Sequence, residues 1–342
     1  MARKAKQYNI KDLAREAGVS ISTVSRVLNN HTDVSENLRR KVQEVIDLHK
    51  FTPDKAIERT LRINVIVGVG DITDYISNIL TGIYWMAEQE SVEIAIQRCC
   101  TDRISLLRCC RNWRSDAVIL ISADLLMPQV NDLVKAGIPC MIIDRHCDNP
   151  AVGSVCGDWN FTGQQLLRHL HSLGHSKIAL LTTDPIVIRG QQKRLDVYRK
   201  FMSSIGEDEN ALLMPPYPPE HIDGIGREKQ IGYQQTLQLL QEHPEVTAIT
   251  CLSDEVAMGC YKACHDFGKR IPEDISVAGF HDESFAQYMN PPLTTIRLQL
   301  AKSGRLAVEY LKKYATGKLE RLPQVMLPSE LMIRGSIAPK KQ

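Results

Sequence analysis

The residues of this chain best suited to chemistry with a partner lie close together near its start. Ser20-Ile21-Ser22-Thr23-Val24-Ser25-Arg26 carries four hydroxyls, an exposed-type apolar branch and one guanidinium fork. Arg can grip the O6 and N7 of guanine, hydroxyls can bond bases or phosphates, and an apolar side chain can meet a thymine methyl. Charge agrees with such a partner. Residues 1–62 hold 13 Lys and Arg against 8 Asp and Glu, a net of +5, whereas the other 280 residues hold 29 against 32, a net of −3. The total of +2 therefore hides a basic start on a slightly acidic body, and only the start suits a polyanion.

Material for catalysis is scattered by comparison. His146, His175 and His281 stand at no characteristic spacing from a nucleophile, and there is no Gly-x-Ser-x-Gly, phosphate-cradling Gly-rich loop or His-Glu-x-x-His. No catalytic residue and no cofactor are expected. Cys99-Cys100 and Cys109-Cys110 suggest a metal cluster at first reading. Adjacent pairs lack the gap of roughly two to four residues found in zinc knuckles, and Thr101 to Arg108 carries no His. Structural thiols in a reduced, cytoplasmic protein are the simpler account, and no metal is expected. Met1 to Asn9 is basic and polar with no apolar run behind it, unlike a secretory signal, and no stretch reaches the roughly 18 apolar residues of a membrane span.

The elements that must position the hydroxyl-rich run follow from periodicity. Ile10, Leu13, Ala14 and Ala17 form a helical stripe, Gly18 is a C-cap candidate and Ser20 an N-cap candidate. A second short helix from Ile21 to Leu28 then turns Val24, Val27 and Leu28 inward, with Ile21, Ser22, Thr23, Ser25 and Arg26 outward. A third, from Ser35 to His49, packs through Leu38, Val42, Val45, Ile46 and Leu48 and exposes Arg39, Arg40 and Lys41. Two short helices joined by a tight Gly-containing turn make a helix-turn-helix. On spacing alone, a small bundle with a solvated basic face stays equally open.

The run Ile10-Lys11-Asp12-Leu13-Ala14, Ala17-Gly18-Val19-Ser20, Thr23-Val24-Ser25-Arg26-Val27-Leu28-Asn29 resembles the DNA-binding headpiece of the LacI/GalR family of bacterial transcription regulators. The likeness continues through Val34-Ser35, Arg39, Val42 and Phe51-Thr52-Pro53. It implies that Ile21, Ser22 and Arg26 read bases, and that Ser20, Thr23, Ser25 and Asn29 hold phosphates or the groove edge. It also implies a hinge helix whose leucine wedges into the minor groove. Here that hinge departs from the family pattern: Asp54 stands where Asn is usual, Thr60 occupies the Leu position, and Leu61 follows one residue later as the candidate wedge.

Beyond the linker, apolar runs at Val65–Val69, Val92–Ile96, Ala117–Ile121 and Pro139–Ile143 alternate with helical patterns at Ile76–Glu90, Ser105–Trp113 and Pro128–Gly137. A second series runs Ile178–Leu181, Thr247–Cys251 and Ile275–Phe280, with helices at Gln164–Leu173, Arg189–Ile205, Lys229–Glu242 and Glu255–Gly268. Two successive βαβα series predict two parallel-sheet α/β lobes with a cleft at the strand carboxyl ends. Ser253-Asp254-Glu255-Val256-Ala257-Met258-Gly259, Ile271-Pro272-Glu273-Asp274-Ile275, Pro291-Pro292-Leu293-Thr294-Thr295 and the ending Leu331, Ile333-Arg334-Gly335-Ser336 extend the resemblance from about residue 8 to 336. The fold class is thus α/β, a three-helix headpiece plus a two-lobed, periplasmic-binding-protein-like core. The expected division is a headpiece over 1–52, a hinge over 53–64, a first lobe of 65–159 with 291–321, and a second of 160–290 with 322–338.

The resemblance also implies where a small effector binds. Asp144 ends a strand and matches a carboxylate that bonds sugar hydroxyls; Arg194 matches a near-universal effector contact; Asp254, with Ser253 and Glu255 beside it, matches a carboxylate-bearing loop; Asp71, Asp74 and Tyr75 follow the first core strand. Two departures matter. His281 replaces an expected Asp in Gly279-Phe280-His281, and Arg227 replaces an aromatic platform. Losing an acid and gaining Arg and His points to an anionic effector, a sugar phosphate or sugar acid, because Arg forks grip such groups bidentately. The alternative is that Arg227 lies on a solvated loop and Arg194 alone faces the cleft.

The function expected is a repressor of a carbohydrate-utilisation operon, a homodimer on a palindromic operator, with effector and DNA affinities linked reciprocally. An enzyme lacks a catalytic constellation, and a transporter's solute receptor, which shares the core fold, would need a signal sequence in place of the basic headpiece. No leucine heptad follows Ser336, so a dimer rather than a helical tetramer is expected.

Overall fold

The computed structural model describes residues 10–28, 34–49, 51, 60–68, 73–99, 105–122, 124–182, 192–215 and 226–341. They form two compact units, divided between Thr60 and Leu61.

The first unit holds three helices: α1 (Ile10–Ala17), α2 (Ile21–Leu28) and α3 (Glu36–Leu48). Gly18 takes φ +64°, the left-handed conformation that lets the chain leave α1, and Val19 N–H donates to Ala14 O at 3.0 Å across the turn. Leu13, Ala14, Val24, Val27, Val42 and Ile46 form the core. Leu38 and Leu48, expected in the stripe of α3, are instead 37% and 71% exposed. Leu38 lies one turn before Val42, at the outer end of the packed stripe, and Leu48, two residues past Ile46, is turned to the opposite side of α3.

The second unit opens with β1 (Arg62–Val67), α4 (Asp74–Gln89), β2 (Glu93–Arg98), α5 (Leu106–Asn112), β3 (Ala117–Ile121), α6 (Val130–Lys135), β4 (Cys140–Ile143) and β5 (Gly153–Gly157). The second lobe follows with α7 (Trp159–Ser172), β6 (Ile178–Leu181), α8 (Gln192–Ser204), α9 (Arg227–Glu242), β7 (Ala248–Cys251), α10 (Asp254–Asp266) and β8 (Ser276–Ala278). The chain then runs through β9 (Thr295–Arg297), α11 (Leu300–Ala315), β10 (Gln324–Leu327) and β11 (Glu330–Met332). The first lobe's sheet is parallel in the order β10-β5-β4-β3-β1-β2, the second lobe's in the order β6-β7-β8. Every residue of β3 is buried, which is why Ala117-Val118-Ile119-Leu120-Ile121 reads as an unbroken apolar run: helices cover both faces of a parallel sheet. Cys99, Cys110, Cys140 and Cys147 fill the core on one face of that sheet.

Two boundaries differ from expectation. Leu61 is 7% exposed within the main core, and its carbonyl accepts from Glu93 N–H at 2.9 Å, so the body begins there and not at residue 65. Strand β10 pairs with β5 in the first sheet, so the first lobe regains the chain through Leu327 instead of stopping at 321. Only beyond β11 does the chain return to the second lobe, where Val277 N–H donates to Ser336 O at 2.8 Å. Antiparallel β9 and β11 form a small ribbon at these crossings. The described residues contain no helix long and apolar enough to cross a membrane.

Candidate functional site

In the headpiece, Ser20 caps α2: Thr23 N–H donates to Ser20 Oγ at 3.1 Å, and the Ser20 hydroxyl also pairs with those of Ser22 (2.7 Å) and Thr23 (2.8 Å). These hydroxyls gather at the positive end of the helix, where backbone N–H groups favour a phosphate. Inward Val24 and Val27, 0% and 4% exposed, fix the rotation of α2, which leaves Ile21 49% exposed and Ser22 and Arg26 on the outer face. The side chain of Ser25 and the whole of Asn29 lie outside the described residues. Leu61, the expected minor-groove wedge, does not join this set: its side chain is packed in the core of the other unit.

In the body, four expected site residues converge where strand carboxyl ends face each other. Tyr75 stands at the start of α4, Asp144 directly after β4, Arg194 in the first turn of α8 and His281 after β8. Tyr75 Oη donates to Asp144 Oδ2 at 3.0 Å, and Arg194 Nη2 reaches the same oxygen at 3.5 Å. Arg194 Nη1 donates to Leu252 O at 3.3 Å and lies 3.4 Å from His281 Nε2. The guanidinium carbon is 3.9 Å from the centre of the Phe280 ring and 5.1 Å from that of Trp159, and the Tyr75 and His281 rings stand 4.8 Å apart. Asp144 (φ +61°) and His281 (φ +110°) both hold left-handed backbone conformations that cost energy in a residue with a Cβ. Asp282 anchors the second of these bends by accepting from Arg297 Nε and Arg334 Nη2, both at 2.6 Å.

Electrostatics follow from burial. Burial, then the charge of Asp144, pushes the Tyr75 hydroxyl well above its ordinary range. Burial and, after it, the neighbouring Arg194 hold His281 well below the usual imidazole range, so it is neutral. Arg194 Nε, His281 Nδ1 and Glu283 Oε2 are buried without a hydrogen-bond partner. Buried polar atoms are nearly always satisfied, so these three need a partner from solvent or from a bound molecule. A cavity of about 50 Å³ adjoins the cluster, sharing Arg194, Trp159 and Phe280 with it and otherwise lined by apolar side chains such as Leu167, Val197 and Leu252.

The remaining expectations fare differently. Asp254 is fully buried beneath the cleft: it accepts Glu283 N–H at 2.7 Å and the Thr295 hydroxyl at 2.6 Å, and a side chain at Gly279 would overlap its Oδ1. It braces the floor and does not face the cleft; burial raises its carboxyl to about 6. Arg227 begins α9 and is half-buried, so it does not lie on a solvated loop. Asp71 lies outside the described residues. Asp74 accepts from Ser284 N–H at 3.1 Å and from the Ser284 hydroxyl, joining the start of α4 to the loop beyond β8. Sequence reasoning missed Glu283, Glu228, Trp159 and the stacking role of Phe280. Glu283 sits two residues beyond His281, close enough to have been flagged; Glu228 and Trp159 had no signal beyond starting their helices.

Comparison with known proteins agrees with this architecture. A model described as "Bacterial regulatory proteins, lacI family" matches residues 9–54, and one described as a "Periplasmic binding protein-like domain" matches residues 167–337. The ribose operon repressor of Haemophilus influenzae is 28% identical over 337 residues, covering 96% of this chain and 98% of that protein. A solved LacI family transcriptional regulator from Enterococcus faecium, with bound ribose, superposes with a TM-score of 0.69 at 25% identity, over 82% of this chain and all of that one. The complex of the transcriptional regulator CelR with cellobiose superposes with a TM-score of 0.70 at 24% identity, over 96% and 99% of the two chains, which speaks for the fold. With a helix-turn-helix headpiece, a two-lobed core and a buried polar cluster at the cleft, the chain belongs to the LacI family of DNA-binding transcription regulators.

Proposed function

We propose that this regulator is a cytoplasmic repressor of a carbohydrate-utilisation operon, binding a palindromic operator as a homodimer and releasing or tightening it when a sugar-class effector enters the cleft. Ile21, Ser22 and Arg26 read bases, while Ser20, Thr23, Ser25 and Asn29 hold the backbone. The observation that carries the effector site is the meeting of Tyr75 and Asp144 from one lobe with Arg194 and His281 from the other, leaving Arg194 Nε and His281 Nδ1 unpartnered. A hydroxylated ligand supplies both donors and acceptors to such atoms. Because the cluster spans both lobes, a ligand there has different affinity for open and closed arrangements, which is what coupling to the headpieces requires. Ribose in the Enterococcus faecium relative supports the chemical class.

An anionic effector draws less support from the geometry than from the residue types. Asp144 already neutralises Arg194, His281 is neutral, and Asp74, Glu228 and Glu255 stand close to the same region. Calorimetric titration of the full chain with neutral sugars, sugar phosphates and sugar acids distinguishes the classes, and a gel shift at stated salt on a palindromic fragment reads the response. Tight binding of sugar phosphates alone overturns the neutral reading; failure of every sugar to bind or to move the shifted band overturns the effector reading.

A further inference from the structure

Five glycines lie inside helices among the described residues, and packing demands four of them. A Cβ at Gly82 of α4, Gly232 of α9, Gly259 of α10 or Gly304 of α11 would overlap backbone of the helix packed against it. Gly163 of α7 is the exception: a Cβ there would meet nothing nearer than Val197 Cγ1 of α8, at 3.6 Å, an ordinary contact. Glycine inside a helix loses stability relative to alanine, and here close packing returns nothing for that loss. What the missing side chain leaves is space. Gly163 and Val197 are both walls of the cavity of about 50 Å³ that adjoins the cleft cluster. The cavity's own chemistry is apolar. Its two wall hydroxyls are committed, Thr250 donating to Ala179 O at 3.0 Å and Tyr198 to Ile178 O at 2.9 Å. A buried water needs about two to four polar partners, and this lining offers too few. Arg194 belongs to both places: it is a wall of the cavity and a member of the cluster, and its Nε is buried without a partner.

We propose that the effector is a sugar bearing a short alkyl group, its hydroxyls held by Tyr75, Asp144, Arg194 and His281 and its alkyl group seated in the cavity between α7 and α8. This rests on the sugar reading above and narrows it. A ring hydroxyl accepts from Arg194 Nε, and the alkyl group lies beyond the guanidinium against Leu167, Val197 and Leu252. Size sets the limit. An apolar cavity of about 150 Å³ takes up a benzene ring, so one of about 50 Å³ suits a methyl or ethyl group and not a ring. The group is the methyl of a deoxy sugar or the alkyl of a short glycoside, which present the same apolar volume. A hydroxymethyl in its place would bury a hydroxyl without a partner, so the cavity disfavours the parent sugar.

Titration calorimetry on the full chain tests this with quinovose, D-fucose and L-rhamnose, each against its parent hexose, and with the methyl and propyl glycosides of those hexoses. A deoxy sugar or a methyl glycoside is expected to bind about tenfold or more tightly than its parent. Whichever series shows the gain identifies the source of the alkyl group. Gly163→Ala narrows the cavity, so the variant should melt higher than the unaltered chain and the affinity ratio of alkylated sugar to parent should fall to about one. Val197→Ala widens it and should move the preference from the methyl toward the propyl glycoside, which keeps the test open should Gly163→Ala fail to fold. A ratio of about one or less in the unaltered chain, or a ratio that neither substitution moves, overturns the inference and leaves the sugar reading intact. Binding of no sugar at all overturns both.

Discussion

Arg194 reaches across the cleft to Asp144, its Nη2 3.5 Å from Oδ2, so that a buried ion pair joins the two lobes. Both side chains are mostly out of water, 6% and 13% exposed, and the guanidinium is also stacked on Phe280. In such a setting the partner left behind costs more than the pair contributes. Asp144→Asn should therefore lower the unfolding free energy by about 3 kcal/mol, toward the low end because the pair is long. Combining it with Arg194→Met should restore most of the loss. Urea denaturation of the full chain measures both. A single variant as stable as the parent would mean that this pair does not tie the lobes.

Arg26 and Ile21 share the outer face of α2, and the two should fail differently on DNA. Arg26→Ala should weaken the preferred operator by about 1–3 kcal/mol per half-site and relax base choice at one position. Ile21→Ala should reduce discrimination chiefly at a thymine-bearing position, with the salt dependence of binding unchanged, because no phosphate contact is lost. Ser20→Ala removes the cap of α2 and should cost about 1 kcal/mol of headpiece stability before any DNA is present. Binding curves over a set of single-base operator variants, repeated at two salt concentrations, separate the three.

Glu283 sets the sign of a pH effect. Folded, it keeps its proton up to about 9; unfolded, it ionises near the ordinary carboxyl value of about 4.3. Between those limits the folded chain holds a proton that the unfolded chain has lost, so stability falls as pH rises through that window. Asp254, raised to about 6, adds a fall of the same sign over a narrower range. Glu283→Gln should accordingly melt higher than the parent at pH 8, with the advantage shrinking toward pH 5. A variant melting below the parent at both values would show that the carboxyl is ionised in the folded chain.

The headpiece was legible because short-range rules decide it. Gly18 ends α1, Ser20 starts α2, and Val24 and Val27 face inward, all from spacing alone. The buried sheet was legible where it reads as apolar runs, as in β3, and illegible in β5 and β10, where Gly153-Ser154-Val155-Cys156-Gly157 and the half-exposed Gln324–Leu327 carry no such run and pair only through partners distant in the chain. Of the cleft, Asp144, Arg194 and His281 were placed by the family resemblance, and Tyr75 by its position after the first core strand. Asp254 was misplaced because whether a carboxylate faces a cleft or braces the floor under it depends on Thr295 and Gly279, which no spacing rule links to it.

Leu61 offers the sharpest contrast between a reading from the hinge pattern and one from the fold. At 7% exposure it packs within the main core beside the start of β1, while its carbonyl pairs with Glu93. Truncating a buried leucine costs about 2–5 kcal/mol through lost transfer energy and the cavity left behind. Leu61→Ala should thus lower the melting temperature of the body while leaving operator affinity, measured well below that temperature, within about twofold of the parent. A minor-groove wedge would give the reverse: unchanged stability and a large loss of operator affinity, since the DNA kink would lose the side chain that holds it open.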